Sequence, residues 1–161
     1  MITDRSVTHD TFTIQRTYPA SPALVFAAFA DPKAKARWAG SPGSVPDGDA
    51  EGYIEFDFRL GGHERFGFEM PGGSTYSYDA VYYDIVPDRR IVYCYEMYAD
   101  GARISVSVAA IEFVEGDAGT ALTYTEQGAF LDGLDQPELR LEGTTELLDS
   151  LAAYLASHAA N

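Results

Sequence analysis

The stretch Thr75–Tyr98, TYSYDAVYYDIVPDRRIVYCYEMY, decides how the chain is read. Two runs rich in Tyr, Val and Ile flank a Pro-Asp-Arg-Arg turn, the pattern of two antiparallel strands with a short connection. The stretch holds seven of the eleven tyrosines. Tyrosine is largely apolar with one hydroxyl at its tip, so the cluster suits either a core that satisfies those hydroxyls or a cavity that uses them. On RIVYCYEMY the alternation places Ile91, Tyr93, Tyr95 and Met97 inward and Val92, Cys94, Glu96 and Tyr98 outward. On TYSYDAVYYDIV it places Val81, Tyr83 and Ile85 inward and Tyr76, Tyr78, Tyr82 and Asp84 outward, and a slip of one residue reverses every assignment.

Working outward, the segments YIEFDFRL, HERFGFEM, ARISVSVAAIEFV and TALTYTEQ read as further strands, separated by breaks such as PGGS, ADG and EGDAG that are short enough for a meander. Their inward sets are Glu64, Phe66, Phe68 and Met70 on the second and Leu122, Tyr124 and Glu126 on the last. The ARISVSVAAIEFV strand ends with Ile111 and Phe113 inward. Before that, either Arg103, Ser105 and Ser107 face in, or a bulge near Ala109-Ala110 turns in Ile104, Val106 and Val108. VTHDTFTIQRTY near the start alternates Phe12, Ile14, Arg16 and Tyr18 against threonines and Gln15, a half-buried strand.

Two short helices follow it, SPALVFAAF and DPKAKARW, each opened by a capping residue and a proline. AGSPGSVPDGDA then reads as a surface loop of lid length. The chain closes with a long amphipathic helix from Pro137, with Leu141, Thr144, Leu147, Leu148, Leu151, Ala152, Tyr154 and Leu155 on one face. The order strand, two helices, six strands, long helix is that of an α+β domain whose curved antiparallel sheet of six to seven strands grips one helix, with a pocket in the gap between them. With 161 residues and no internal repeat or long linker, residues 1–161 are expected to form a single domain.

Twenty-five acids against eleven bases give a formal charge of -14, which repels phosphate backbones, so neither nucleic acid nor an anionic membrane is an expected partner. MITDRSVTHD lacks the apolar core of a signal peptide and no run approaches the roughly 20 apolar residues of a membrane span, so a cytoplasmic location is expected. Cys94 is the sole cysteine, and His9, His63 and His158 have no ligand spacing. No metal or cofactor is therefore expected.

Several stretches, in this order, carry a resemblance: RTYPASPALVFAAFADPKAKARW, DFRLGGHERF, DIVPDRRIVY, IEFVEGDAGTALTYTE and EGTTELLDSLAAYL. Together they resemble the stand-alone bacterial members of the family named after the activator of the heat-shock-protein-90 ATPase, within the START-like, helix-grip (SRPBCC) superfamily. The resemblance implies the helix-grip fold shared with the Bet v allergens and a pocket between sheet and long helix, but no particular ligand. Thr144 and Tyr95 stand where members commonly carry tryptophan, which implies a wider and more polar pocket.

The leading expectation is a binding domain for a small hydrophobic or aromatic molecule, lined by Trp38, Phe66, Phe68, Tyr83, Tyr93, Tyr95, Tyr124 and Leu148, with Glu64, Glu126 or Arg103 orienting a polar end. Trp38 reads equally as a lid or as a core anchor. Ionisable groups on inward faces must pair or meet a wet cavity, and the bland reading is a structural ion pair made by Arg16, or that each of these groups lies at a strand end in solvent. A buried Glu64 or Glu126 poised for proton transfer would instead make the domain a cyclase, dehydratase or hydrolase. A chaperone-ATPase partner, implied by the family name, is the third reading. Tyr76, Tyr78, Tyr82 and Tyr98, taken as outward, suggest a homodimer.

Overall fold

The Pro-Asp-Arg-Arg turn does join two antiparallel strands, and the sheet grows from them in both directions. The structure, a computed structural model, describes residues 5–39, 53–69 and 72–158. In chain order the elements are β1 (Val7–Tyr18), α1 (Pro22–Ala30), α2 (Pro32–Ala39), β2 (Tyr53–Phe56), β3 (His63–Glu69), β4 (Thr75–Val86), β5 (Arg90–Ala99), β6 (Ala102–Gly116), β7 (Gly119–Leu131) and α3 (Pro137–His158). They form an α+β domain with the helix-grip arrangement, a curved seven-stranded sheet ordered β1-β7-β6-β5-β4-β3-β2 in which every neighbouring pair is antiparallel.

Local chemistry sets the boundaries. Ser21 caps α1, its hydroxyl accepting from the Leu24 amide at 3.3 Å, and Asp31 does the same for Lys33 at the start of α2 at 3.2 Å. The β5–β6 turn is Asp100-Gly101, with φ of 48° and 82°, the left-handed pair that a two-residue hairpin requires. Asp100 also accepts from the Thr75 amide at 2.9 Å, which ties that turn to the start of β4.

Two β-bulges change the inward faces from those read in the sequence. In the β4–β5 ladder Tyr82 pairs with Tyr93 but Asp84 with Val92, so Tyr83 is the extra residue. As a result Tyr82 is buried and Tyr83 lies 64% exposed, the reverse of the sequence reading, while Ile85 still faces the core beyond the bulge. Tyr76 and Tyr78 share the inward parity of Tyr82. In the β5–β6 ladder Met97 pairs with Ser105 but Tyr98 with Arg103, so Ile104 is extra. Ser105, Ser107 and Ala109 therefore face in, as in the first of the two registers, but Arg103 turns out and pairs with Glu96 at 3.2 Å. The bulge is at Ile104, not near Ala109-Ala110.

The helix α3 is rotated relative to the expected stripe. Arg140, Thr144, Leu148, Leu151 and Leu155 are buried, whereas Leu141 and Leu147 remain exposed. Tyr18 donates to the Leu148 carbonyl at 2.9 Å and so fastens β1 to the middle of α3. Trp38 is a core anchor: its indole N–H donates to the Ala28 carbonyl at 2.8 Å and its ring meets Phe29 edge-on at 4.9 Å. Met70 and the Gly- and Pro-rich loop expected after α2 lie outside the described residues, apart from Ala39. Among the described residues no helix is long and apolar enough to cross a membrane.

Candidate functional site

The inner face of β3, β4, β5 and β7 carries two carboxylates, and both are buried: Glu64 is 1% exposed and Glu126 is fully enclosed. Burying an ion is costly unless donors meet it, and the two sites do this in the same way, with one cation and two phenols each.

Around Glu126 on β7, the Tyr95 hydroxyl donates to the carboxylate at 2.8 Å from both oxygens, the Tyr124 hydroxyl donates to Oε1 at 2.7 Å, and Arg140 Nη1 donates to Oε2 at 3.2 Å. Arg140 projects from the first turns of α3. Its Nη1 also donates to the Tyr95 oxygen at 2.8 Å, and its Nη2 donates to Ser105 Oγ and to Asp135, each at 2.7 Å. The guanidinium lies over the rings of Tyr95 and Phe130. Burial alone would lower its pKa, but Tyr95, Glu126 and Asp135 beside it hold the cation above its ordinary value. Tyr93 completes the group. The proton of Tyr124 is committed to Glu126, so across the 3.4 Å between the two hydroxyls it is Tyr93 that donates.

Around Glu64 on β3, Lys35 Nζ of α2 lies 2.7 Å from Oε2, and the hydroxyls of Tyr82 and Tyr78 donate to the same oxygen at 2.7 and 3.2 Å. The antiparallel register explains the convergence, because Glu64 pairs with Ala80, whose small side chain lets its neighbours Tyr78 and Tyr82 lean over it. The ring of Tyr78 is 5.1 Å from that of Tyr95, and Tyr93 is 6.1 Å from Tyr82 and 5.9 Å from Tyr95, so a continuous layer of phenol rings joins the two carboxylates. Burial first, and then the neighbouring carboxylates and phenols, push the pKa values of Tyr78, Tyr95 and Tyr124 well above that of free tyrosine. They are phenols, never phenolates, at neutral pH and serve as donors.

Of the residues singled out in the sequence, Glu64, Phe66, Phe68, Tyr93, Tyr95, Tyr124 and Glu126 lie together on this face. Leu148 joins the same core from α3. Tyr83 and Arg103 do not belong to it. Arg16, proposed as the partner of a buried acid, lies at the rim and pairs with Asp149 of α3 at 3.4 Å instead. With Tyr76, Tyr78 and Tyr82 inward, Tyr98 is the one outward residue left of the four invoked for a homodimer, and its hydroxyl donates to Glu96 at 3.1 Å. Lys35, Tyr78, Tyr82, Asp135 and Arg140 were missed.

Coverage of the face is uneven. α3 packs on β1 and α2, and α1 packs on α2, β6 and β7; among the described residues no helix makes comparable contact with β3, β4 or β5. There Phe68, Tyr76, Tyr78 and Met97 stay only half-buried, with Tyr76 stacked on Phe68 at 5.6 Å. Elsewhere, a trough of about 320 Å³ crosses the outer face of the sheet past His9, Cys94, Val106, Val108 and Gln127, and a recess of about 120 Å³ separates α1 from α3. Neither is lined by a residue that the sequence reading expected to bind the ligand. Among the described residues no group of three or more His, Cys, Asp or Glu side chains is placed to hold a metal ion.

Comparison with known proteins places this architecture. Residues 19–156 match the model of the family described as Activator of Hsp90 ATPase homolog 1-like protein. A solved structure from Rhizobium leguminosarum is similar over 96% of this chain and 99% of its own, at 41% identity and a TM-score of 0.89. Another from Rhizobium loti covers 93% and 99% at 47% identity and a TM-score of 0.84, and one from Chromobacterium violaceum covers 89% and 95% at 27% identity and 0.70. Among curated proteins, none matches the chain.

Two outcomes are expected from the buried clusters. Arg140→Met leaves Glu126 without its cation and costs about 3–5 kcal/mol in urea unfolding, whereas Arg140→Met combined with Glu126→Gln costs less than the single change. In alkaline titration, Tyr78, Tyr95 and Tyr124 keep their protons in the folded state above about pH 10, where the unfolded chain loses them. Stability is therefore intact below that pH and falls as the pH rises beyond it. The phenolate absorbance of these three rings should appear together with the loss of far-ultraviolet circular dichroism, not before it.

Proposed function

The chain belongs to the Activator of Hsp90 ATPase homolog 1-like family, and on that premise we propose that it binds a small hydrophobic or aromatic molecule between the sheet and α3. The observation that carries the reading is the row Phe68, Tyr76, Tyr78 and Met97, left half-buried on the inner face of β3–β5 beside the Lys35–Glu64 and Arg140–Glu126 pairs. Aromatic rings and a thioether offer a broad apolar contact of adaptable shape, and the buried carboxylates beside them supply fixed polar points, the usual composition of a small-molecule site.

Both carboxylates are anchored, and that favours binding over turnover. General acid–base chemistry needs two ionisable groups within reach of one ligand atom. Glu126 is held by Arg140 and two phenols, and Glu64 by Lys35 and two phenols. These are the fixed walls of a site, with rigid hydrogen-bond geometry.

The test uses protein labelled at the methionine methyl groups and titrated with 2-naphthol, a neutral aromatic probe. The expected result is a saturable shift of the Met97 resonance with a rise in thermal stability, and both weaken in Tyr78→Ala. A Met97 signal that does not respond, with no thermal stabilisation at the solubility limit of the probe, would remove the reading.

A further inference from the structure

The hydrogen bonds around Glu64 are lopsided. Oε2 receives all three contacts, from Lys35, Tyr78 and Tyr82, and Oε1 receives none from any described residue. Yet the side chain is almost entirely withdrawn from solvent. Among the described residues Ser107 Oγ is the one fully enclosed side-chain N or O atom without a partner, so Glu64 Oε1 is not sealed in and stays open to a donor from outside the chain. The neighbouring protons cannot turn to it, because the hydroxyls of Tyr78 and Tyr82 are committed to Oε2. Lys35 has the opposite surplus: an ammonium has three protons, and its one hydrogen bond to a described residue is the one to Glu64.

Resting on the ligand-binding reading above, we propose that this end of the site selects a neutral hydroxyl-bearing molecule, a phenol or an alcohol, which donates to Glu64 Oε1 and accepts from Lys35 Nζ. A hydroxyl is the small group that does both at once. An ether of the same shape accepts from Lys35 but leaves Oε1 unmet. A carboxylate also lacks the proton, and it brings a second negative charge beside Glu64 in a molecule whose formal charge is already -14. Fatty acids and other anionic amphiphiles are thereby disfavoured. The aromatic surface next to this point, Tyr78 and Met97 with Phe68 beyond, takes the apolar body.

Three probes with one ring system separate the possibilities at neutral pH: 2-naphthol, 2-methoxynaphthalene and 2-naphthoate. Titration calorimetry is expected to give 2-naphthol a dissociation constant at least about tenfold below those of the other two, the scale of one hydrogen bond to a charged group. Removing the pair together, as Lys35→Met with Glu64→Gln, should bring 2-naphthol and its methyl ether to within about threefold of each other. Tyr78→Phe, which leaves the ion pair in place, should keep the preference; its loss there would assign the selection to the phenol and overturn the proposal. Equal binding of all three probes to the wild-type protein would overturn the selection and leave the cavity reading standing. Binding of none would overturn both.

Discussion

A carboxylate enclosed between a sheet and a helix has to be met by donors, and this sheet carries two of them, Glu64 on β3 and Glu126 on β7. Much of the interior follows from that requirement. The tyrosines of the hairpin are distributed between the two acids: Tyr78 and Tyr82 donate to Glu64, Tyr95 to Glu126. α2 turns Lys35 inward for one, and α3 turns Arg140 inward for the other, rotating its apolar stripe so that Leu141 and Leu147 are left in solvent. The bulge at Tyr83 keeps Tyr78 and Tyr82 on the inner face while still letting Ile85 reach the core.

A buried ion pair is a poor source of stability, since desolvation offsets most of the Coulomb gain. A core of leucines in place of these two clusters would hold the sheet and helix together at least as well. What the clusters provide is fixed geometry. Phenols whose protons are committed to carboxylates cannot rotate freely, so the inner face presents set hydrogen-bond directions instead of mobile hydroxyls. α3 is fastened at the β1 side by Tyr18 and at its N-terminal end by Arg140, while Phe68, Tyr76, Tyr78 and Met97 of β3–β5 stay half-buried beside the buried Tyr82, Tyr93 and Tyr95. The fold grips its helix on one side and keeps an aromatic floor on the other.

The architecture was legible in the sequence because period-two alternation, short turns and capping residues all pointed the same way. Tyr93, Tyr95, Tyr124 and both inward acids could be placed because β3, β5 and β7 alternate without interruption through those positions. Tyr83 and Arg103 could not, because a bulge adds one residue without leaving a mark in the pattern. Adjacent tyrosines such as Tyr82 and Tyr83 suit either face equally. A usable signal did exist: in a hairpin register that pairs Glu64 with Ala80, the acid needs donors from Tyr78 and Tyr82, which would have fixed the parity. Lys35 and Arg140 were hidden because basic residues on short or amphipathic helices read as solvent-facing. Two inward acids without inward bases were the clue that two helical cations had to turn in.

We propose that the aromatic face beside Glu64 takes a ligand and is not a settled core. An electron-density map of the protein purified from its own host tests this most directly. The expected result is a bound molecule against Tyr78 and Met97, with a polar atom within about 3 Å of Glu64 Oε1. A map in which the chain's own side chains close that face, and Oε1 is satisfied by one of them, would contradict it.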